Sequence, residues 1–375
     1  MDLQECREQL DRIDKEIVEL FEQRMAVCGE VAEDKIKTGK AVYDGVREKQ
    51  KLEAVKQMAH GDYNQIAVRE LFGQMMTISR RYQYRLLAEH GIETELGFQK
   101  VDQLKLDGVR VVYQGVEGAY SHAATLQFFG MDADAYHVER FEDAMQEVRD
   151  GRADYAVLPI ENSSAGAVID NYDLLVQYDN YIVAETLIAA SHALLGTPDA
   201  ELSDIRTVFS HPQALMQSSA FLGEHREWRQ ISLENTAVSA KKVSAEGDRT
   251  QAAVASEIAG RLYGLKVLKR AIQNNQGNTT RFIILSREAV YQKDAKKVTI
   301  SFELAHKSGT LYNILGNFIF NGVNMRKIES RPIPGRSWEY RFFIDIEGNL
   351  DDAGIKNALG GIAKEAQNMR ILGNY

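Results

Sequence analysis

The chain has 375 residues, a net charge of −9 and a hydrophobic fraction of 44%. This length predicts two or three domains, and the acidic balance excludes a broad nucleic-acid-binding surface. No apolar run is long enough to span a bilayer, and the first residues do not read as a secretory signal. We therefore expect a cytoplasmic protein with no nucleic-acid or membrane partner.

A helix with one apolar face is predicted at the start of the chain, between Leu3 and Ile36. Its apolar residues are three or four positions apart: Leu10, Ile13, Ile17, Leu20, Phe21, Cys28 and Val31. Arg24 and Lys35 project near the centre of this face, and Arg7 lies at its edge. A buried cation is costly unless it is paired, so this face should meet carboxylates of the protein or of a ligand.

The next two helical segments add further polar groups. Asp44, Arg47 and Glu48 belong to the second segment, and Ser79 and Gln83 lie inside the apolar stripe of the third, from about Ile66 to Ala88. Guanidinium, ammonium, amide and hydroxyl groups together suit a small dicarboxylate with an ether or hydroxyl oxygen. A helical dimer whose Arg and Lys heads reach solvent is the alternative that these residues leave open.

The first ninety residues resemble the all-helical chorismate mutase family. The resemblance rests on the segment R-E-Q-L-D-R-I-D, Arg7 to Asp14, and on the spacing of the polar residues over three predicted helices. It implies that three guanidiniums bind the substrate carboxylates: Arg24, Arg47 and Arg7 of a partner subunit in an intertwined dimer. Lys35 and Gln83 would contact the ether oxygen and Glu48 the ring hydroxyl, with Asp44 and Ser79 in support.

A polar linker is predicted from residue 91 to 107, and strands alternate with helices after it. Buried strands are predicted at Val109–Tyr113, Ala156–Ile160, Val208–Ser210, Ala252–Ala255 and Phe282–Leu285, and a helix at His122–Phe129. This alternation favours a mostly parallel α/β sheet, in which ligands bind beyond the carboxyl ends of the strands.

Polar residues follow several of these strands. They are Ser121 and His122, Asn162 to Ser164, and His211 and Gln213, while a fourth polar segment, Asn278–Phe282, lies just before a buried strand. No Ser-His-acid triad or metal cluster is evident by spacing, and Gly115–Gly118 does not match the dinucleotide fingerprint, so we expect no cofactor and no metal. By themselves the loops indicate a ligand-binding α/β domain, and capping of loops and strand starts explains Asn162 and Thr280 equally well.

Residues 108–287 resemble prephenate dehydratases. The motifs are G-A-Y-S at Gly118–Ser121, P-I-E-N-S at Pro159–Ser163, S-H-P-Q-A-L at Ser210–Leu215 and N-T-T-R-F at Asn278–Phe282. The resemblance implies a two-lobed α/β fold similar to periplasmic binding proteins, with the site in the cleft. Thr280 would be the acid that protonates the leaving hydroxide. The substrate-binding residues would be Ser121, Asn162, Ser163, Gln213 and Arg281.

The last section, 297–375, is predicted as a ferredoxin-like α+β unit with the order βαββαβ. Its strands are Val298–Leu304, Met325–Arg331, Tyr340–Ile346 and Met369–Leu372, and its helices are Gly309–Phe320 and Asp351–Ala363. It resembles ACT regulatory domains through Gly309, Thr310 and Leu311 and through the E-S-R-P motif, Glu329, Ser330, Arg331 and Pro332. Thr310 stands where Ala is more common. The resemblance implies a pocket for L-phenylalanine.

The whole chain thus resembles the bifunctional chorismate mutase–prephenate dehydratases, with a mutase domain at 1–90, a dehydratase domain at 108–287 and an ACT domain at 297–375. The resemblance implies conversion of chorismate to prephenate and of prephenate to phenylpyruvate, inhibition by L-phenylalanine, and a homodimer or larger oligomer. A non-catalytic amino-acid sensor is the alternative. Such a sensor would not need Lys35 and Gln83 inside an apolar stripe.

Overall fold

The computed structural model of the chain describes residues 2–92, 96–307 and 309–375, so residues 93–95 of the predicted linker lie outside the described ranges. Within these ranges, no helix combines the length and hydrophobicity that a bilayer crossing requires. The chain forms two compact units. The first contains Met1–Leu96 and Ile300–Arg370, and the second contains Gly97–Thr299 and Ile371–Tyr375.

The helices of the described chain are α1 (Leu3–Thr38), α2 (Gly45–Met58), α3 (Asp62–Glu89), α4 (Tyr120–Phe129), α5 (Phe141–Arg149), α6 (Ile169–Gln177), α7 (Pro212–Gln217), α8 (Ser219–Gly223), α9 (Thr236–Glu246), α10 (Glu257–Leu262), α11 (Thr310–Phe320) and α12 (Ala353–Glu365).

The strands are β1 (Gln99–Val101), β2 (Arg110–Gln114), β3 (Asp134–Val138), β4 (Tyr155–Asn162), β5 (Gly166–Ala167), β6 (Tyr181–Ala189), β7 (Ala193–Gly196), β8 (Thr207–Ser210), β9 (Arg229–Ser232), β10 (Gln251–Ala255), β11 (Lys266–Lys269), β12 (Thr279–Ser286), β13 (Val290–Gln292), β14 (Lys297–Leu304), β15 (Met325–Pro332), β16 (Tyr340–Glu347) and β17 (Gln367–Asn374).

The three N-terminal helices form as the periodicity predicts. Asp2 and Glu5 form a capping box at the start of α1, and Gly39 ends the helix with a φ of 68°, a left-handed conformation that favours glycine. Helix α3 packs against both α1 and α2. The first unit is thus helical over its N-terminal ninety residues.

The second part of the first unit has the predicted element order, β14-α11-β15-β16-α12-β17. Its strands lie in the order β15-β16-β14-β17, so β15 is the edge strand. Helices α11 and α12 pack against each other, and α12 also contacts α3 of the helical section. The predicted βαββαβ arrangement is confirmed.

The second unit contains two mixed sheets, ordered β6-β12-β4-β2-β3 and β11-β7-β10-β8-β9. The prediction of a mostly parallel sheet is therefore wrong: β12 runs antiparallel to β4 and β6, and β7 runs antiparallel to β10 and β11. The chain leaves the first sheet after β6 and returns at β12, and the returning strand runs against its neighbours. The predicted linker also contains β1, which pairs with β13.

Each sheet of the second unit has its own hydrophobic core. Tyr113, Phe282 and Ile284 belong to the core of the first sheet. Alternating residues of β7, β8 and β10 contribute to two clusters on the second sheet, so both faces of that sheet are covered. This unit consequently has two lobes, as the sequence predicted.

Candidate active sites

The predicted cation on α1 lies against the buried hydroxyl of α3. Arg24 Nη1 donates to Ser79 Oγ and lies 3.4 Å from the carbonyl oxygen of Met75. Ser79 is 4% exposed and Arg24 is half-buried. The structure thus brings together two of the residues that the sequence selected.

A second pair joins the same two helices. Lys35 Nζ donates to Gln83 Oε1 at 3.1 Å and to the carbonyl oxygen of Val42 at 2.8 Å. Because an ammonium has three donors, one remains for a ligand oxygen. Burial lowers the pKa of Lys35 from its ordinary value, and the carboxylates of Asp44 and Glu48 oppose this shift. Those two carboxylates therefore lie close enough to Lys35 to stabilise its charge.

The start of α2 supplies the remaining residues of this group. Asp44 is the N-cap of α2, and its side chain accepts the backbone N–H of Arg47 at 3.0 Å. The positive charge of Arg47 contributes to the lowered pKa of Lys35, and the side chain of Arg47 is exposed. Glu48 Oε2 lies 2.5 Å from Arg80 Nη1.

Sequence reasoning missed Arg80. It follows Met76 by four residues and precedes Gln83 by three, so it lies on the same side of α3 as these two residues. This spacing is the sequence feature that could have identified it.

Arg7 does not join the other residues within one chain. It is exposed and precedes Arg24 by seventeen residues of one helix, about 25 Å. The apolar face predicted to be buried is open here, with Leu10 57% and Ile17 53% exposed. That expectation is wrong for a single chain, because none of the residues that the structure describes covers the first half of α1.

Four of the predicted dehydratase residues line one cleft of the second unit. Ser121, Asn162, Gln213 and Thr280 surround a cavity of about 410 Å³. Gly118 lies before the start of α4 beside it, where a φ of +85° and an approach of 3.1 Å between an added Cβ and Ala259 Cα disfavour any larger residue. The loops that the sequence selected thus converge as expected for an α/β fold.

Asn162 and Thr280 form the central pair of the cleft. Asn162 Oδ1 accepts the backbone N–H groups of Ser164 and Ala165 at 3.0 and 2.9 Å, which fixes the orientation of the amide. Asn162 Nδ2 therefore faces Thr280 Oγ1 and donates to it at 2.9 Å. Because the Thr280 oxygen accepts this bond, its own proton is available to a ligand in the cavity.

Two predicted substrate-binding residues lie elsewhere. Arg281 follows Thr280 on β12 and so points to the opposite face of the strand, where its guanidinium lies 3.5 Å from Glu161 and 3.3 Å from Glu185. Ser163 Oγ accepts the backbone N–H of Thr279 at 2.9 Å and thereby fixes the start of β12. Both assignments to the substrate are corrected, because strand alternation and this local hydrogen bond direct the side chains away from the cavity.

A polar chain in the cleft wall was not found from the sequence. Tyr120 Oη lies 2.8 Å from His192 Nδ1, and His192 Nε2 lies 3.0 Å from Gln217 Oε1. Burial lowers the pKa of His192, and the hydrogen bond to Gln217 opposes this shift. His192 is consequently neutral near pH 7. It follows β6, a strand that the sequence did not predict.

The two predicted regulatory motifs are separated within one chain. Gly309 has a φ of 82° before α11, and Thr310 Oγ1 lies 3.0 Å from the carbonyl oxygen of Lys307. Leu311 is half-buried in the first turn of α11. The E-S-R-P motif lies on the edge strand β15, with β16 between it and β14. Within one chain the motif and the Gly309 turn are therefore not on neighbouring strands, because β16 lies between β15 and β14, the strand that precedes the turn.

Comparison with known proteins identifies both enzyme segments. A family model for chorismate mutase type II matches residues 6–84, and one for prephenate dehydratase matches residues 111–290. The bifunctional chorismate mutase/prephenate dehydratase of Escherichia coli (strain K12) is 33% identical over 98% of this chain and 95% of its own length. The chain belongs to this bifunctional family. It therefore has both activities, chorismate mutase and prephenate dehydratase, and functions in phenylalanine biosynthesis.

Two solved structures are similar to a part of this chain that is longer than the dehydratase segment. The prephenate dehydratase from Arthrobacter aurescens in complex with L-Phe is 32% identical, with a TM-score of 0.66, over 71% of this chain and 89% of that one. GqqA, described as a novel type of quorum quenching acylase, is 33% identical with the same TM-score, over 71% of this chain and 97% of that one.

Proposed function

We propose that the helical residues of the first unit carry the mutase reaction. The rearrangement of chorismate is pericyclic, so the protein has to hold the folded substrate and stabilise charge on the breaking ether oxygen. Arg24 and Arg47 bind the carboxylates through planar guanidiniums, and Lys35 and Gln83 donate to the ether oxygen. The Lys35–Gln83 contact of 3.1 Å supports this assignment most directly, because both groups are held at a partly buried position with a donor to spare.

The remaining mutase groups have orienting roles. Glu48 accepts the ring hydroxyl of chorismate, Asp44 caps α2 so that Arg47 and Glu48 are positioned, and Ser79 holds Arg24. Arg7 comes from a second copy of the chain in a homodimer. The open apolar face of α1 supports this proposal, since a stripe of this length is unfavourable in water.

The cleft of the second unit carries the dehydratase reaction. Prephenate loses carbon dioxide and its ring hydroxyl together, and aromatisation drives the reaction. The hydroxide is a poor leaving group unless it is protonated, so Thr280 donates its proton to it while Asn162 holds the Thr280 oxygen. Ser121 and Gln213 bind the substrate's polar groups. Arg281 and Ser163 have structural roles, Arg281 in ion pairs with Glu161 and Glu185 and Ser163 at the start of β12.

The C-terminal βαββαβ section is an ACT domain through which L-phenylalanine inhibits the enzyme. The L-Phe complex of a relative that is similar over 71% of this chain supports this proposal. The backbone N–H groups after Gly309 receive the carboxylate of the amino acid, and Glu329 to Pro332 come from the edge strand of a second copy. Leu311 contributes to the apolar slot for the phenyl ring.

A single assay separates the enzyme from the non-catalytic sensor. Purified protein is mixed with chorismate, or in a second reaction with prephenate, and the products are separated by chromatography. We expect prephenate and then phenylpyruvate from chorismate, phenylpyruvate from prephenate, and slower dehydratase turnover when L-phenylalanine is added. Binding of L-phenylalanine without consumption of either substrate would favour the sensor.

A further inference from the structure

Arg80 of α3 is a nearly buried cation that the proposed chemistry does not use. It is 9% exposed, and its guanidinium reaches two carboxylates and a hydroxyl. Nη1 lies 2.5 Å from Glu48 Oε2, while Nη2 lies 2.7 Å from Glu365 Oε1 and 3.1 Å from Thr77 Oγ1. A planar fork with several donors can hold such partners in fixed relative positions.

The two carboxylates belong to different parts of the first unit. Glu48 lies near Lys35 at the start of α2, whereas Glu365 ends α12 of the βαββαβ section, 285 residues from Arg80. All three side chains line one cavity of about 860 Å³, which the Gly309–Thr310 turn also lines. The contact therefore joins the mutase residues to the C-terminal section.

The charges of this triad depend on one another. Burial raises the pKa of Glu365, and the charge of Arg80 opposes this shift. Burial also disfavours the charge of Arg80, yet the pKa of Arg80 is raised above its ordinary value because Glu365 and Glu48 stabilise the cation. Removing Arg80 leaves both carboxylates without their cation, and removing either carboxylate leaves Arg80 with only the other.

We propose that Arg80 is a positioning residue for the mutase carboxylate Glu48, and that Glu365 of the C-terminal section holds Arg80 in place. This inference rests on the proposed role of Glu48 toward the ring hydroxyl. Arg80 binds Oε2 of Glu48, so Oε1 stays directed at the substrate. Arg80 itself touches no reacting atom. The orientation of a mutase group thus depends on a residue of the βαββαβ section.

Variants of the full-length chain test this role through the separation of kcat from KM. Arg80→Gln should lower the mutase kcat about tenfold or more with a smaller change in KM, because a misplaced orienting group weakens the transition state more than binding. Glu365→Ala should lower kcat less. The double variant should equal Arg80→Gln alone, since Glu365 acts only through Arg80. Arg80→Lys, which keeps the charge without the fork, should lie between wild type and Arg80→Gln.

The controls distinguish positioning from a general loss of structure. Arg85→Gln removes a cation from an exposed pair on the same helix, Arg85 with Glu89, and should leave the mutase unchanged. Dehydratase turnover on added prephenate should persist in every variant. If Arg80→Gln does not fold, the Glu365→Ala and Arg80→Lys values decide: wild-type kcat in both overturns the proposal. Unchanged kcat in a folded Arg80→Gln protein, or additive losses in the double variant, also overturns it. A wild type without mutase activity would instead contradict the proposed function.

Discussion

Lys35 shows how one side chain links burial to the mutase reaction. Its ammonium donates to Gln83 and to the Val42 carbonyl and keeps one donor for a ligand oxygen, which we propose is the ether oxygen of chorismate. Lys35→Ala should lower mutase turnover at least ~10²-fold, as expected for the loss of one preorganised donor. Dehydratase turnover on prephenate, measured in the same preparation, should be unchanged. A near-normal mutase rate in this variant would show that Lys35 does not contact the reacting oxygen.

The pH dependence of the mutase follows from the same residue. Burial lowers the pKa of Lys35, and in the proposed mechanism only its protonated form donates to the ether oxygen. The mutase kcat should therefore fall as the pH rises, and it should do so below the ordinary lysine pKa of about 10.4. Lys35→Arg keeps a charged side chain throughout this range, so its residual kcat should lack this decrease. A wild-type kcat that stays constant up to that pH would contradict the assignment.

Thr280 has the corresponding proposed role in the dehydratase. Thr280→Val preserves the shape and removes the hydroxyl, so dehydratase turnover should fall by roughly 10²-fold or more with little change in prephenate affinity. Thr279→Val is the matched control, because Thr279 neighbours Thr280 and its hydroxyl lies 3.3 Å from the carbonyl oxygen of Gly277. Equal rates in both variants would assign Thr280 to the start of the strand rather than to proton transfer.

At the scale of elements, the sequence predicts those segments whose apolar pattern is complete in itself. Strand β4, with Ala156 to Leu158 fully buried, and helix α3 are of this kind. Strand β6 was missed because Glu185 interrupts its apolar run. The carboxylate of Glu185 lies 3.3 Å from Arg281 Nη1 and 2.5 Å from Lys297 Nζ. These two residues are 96 and 112 positions away from Glu185 in the sequence. A charge within a strand becomes understandable only when such distant partners are known.

The candidate sites follow the same rule. The motifs around Asn162 and Thr280 predict a shared cleft. The structure brings the two residues together because Asn162 ends β4, Thr280 lies at the start of β12, and these two strands pair directly. Arg281 was assigned to that cleft as part of the motif, although strand alternation turns it to the other face. Arg80 was missed because its partner Glu365 lies in another section of the chain. Sequence thus finds groups that a motif keeps together and misses those that meet only through packing.

The edge strand β15 carries the regulatory prediction. Ser330 pairs with Phe342 and Pro332 with Tyr340, so these two residues have the same backbone orientation in the ladder. Because Pro332 is accepted there, Ser330→Pro should keep β15 paired with β16 while removing one N–H from the strand. It should relieve inhibition by L-phenylalanine and leave both basal activities intact.

The measurement is dehydratase rate against L-phenylalanine concentration. Ser330→Ala keeps the backbone donor and separates a hydroxyl contact from a backbone contact. A Ser330→Pro enzyme that is inhibited like wild type would exclude this strand from the effector site.

At the scale of the whole molecule, one copy of the chain does not bring together all the residues that we propose for the mutase site. The apolar residues of the first half of α1 are exposed, and Arg7 lies about 25 Å along the helix from Arg24. A second chain that packs its own α1 against this face would cover the apolar stripe. In a two-fold dimer each chain gives to its partner what it receives. Two mutase sites then form, each with Arg7 from one chain and Lys35 from the other.

Mixing two inactive variants tests this arrangement. Arg7→Ala and Lys35→Ala should each lack most mutase activity, but after unfolding and refolding together they form mixed dimers in which one of two sites has both wild-type residues. Random pairing then restores about a quarter of the wild-type rate. The matched control mixes Arg24→Ala with Lys35→Ala. In the proposed arrangement, Arg24 and Lys35 of one site come from the same chain. Every site of that mixed dimer keeps one defect, so activity should not return. Rescue in the control, or no rescue with Arg7→Ala, would show that Arg7 does not act across the dimer.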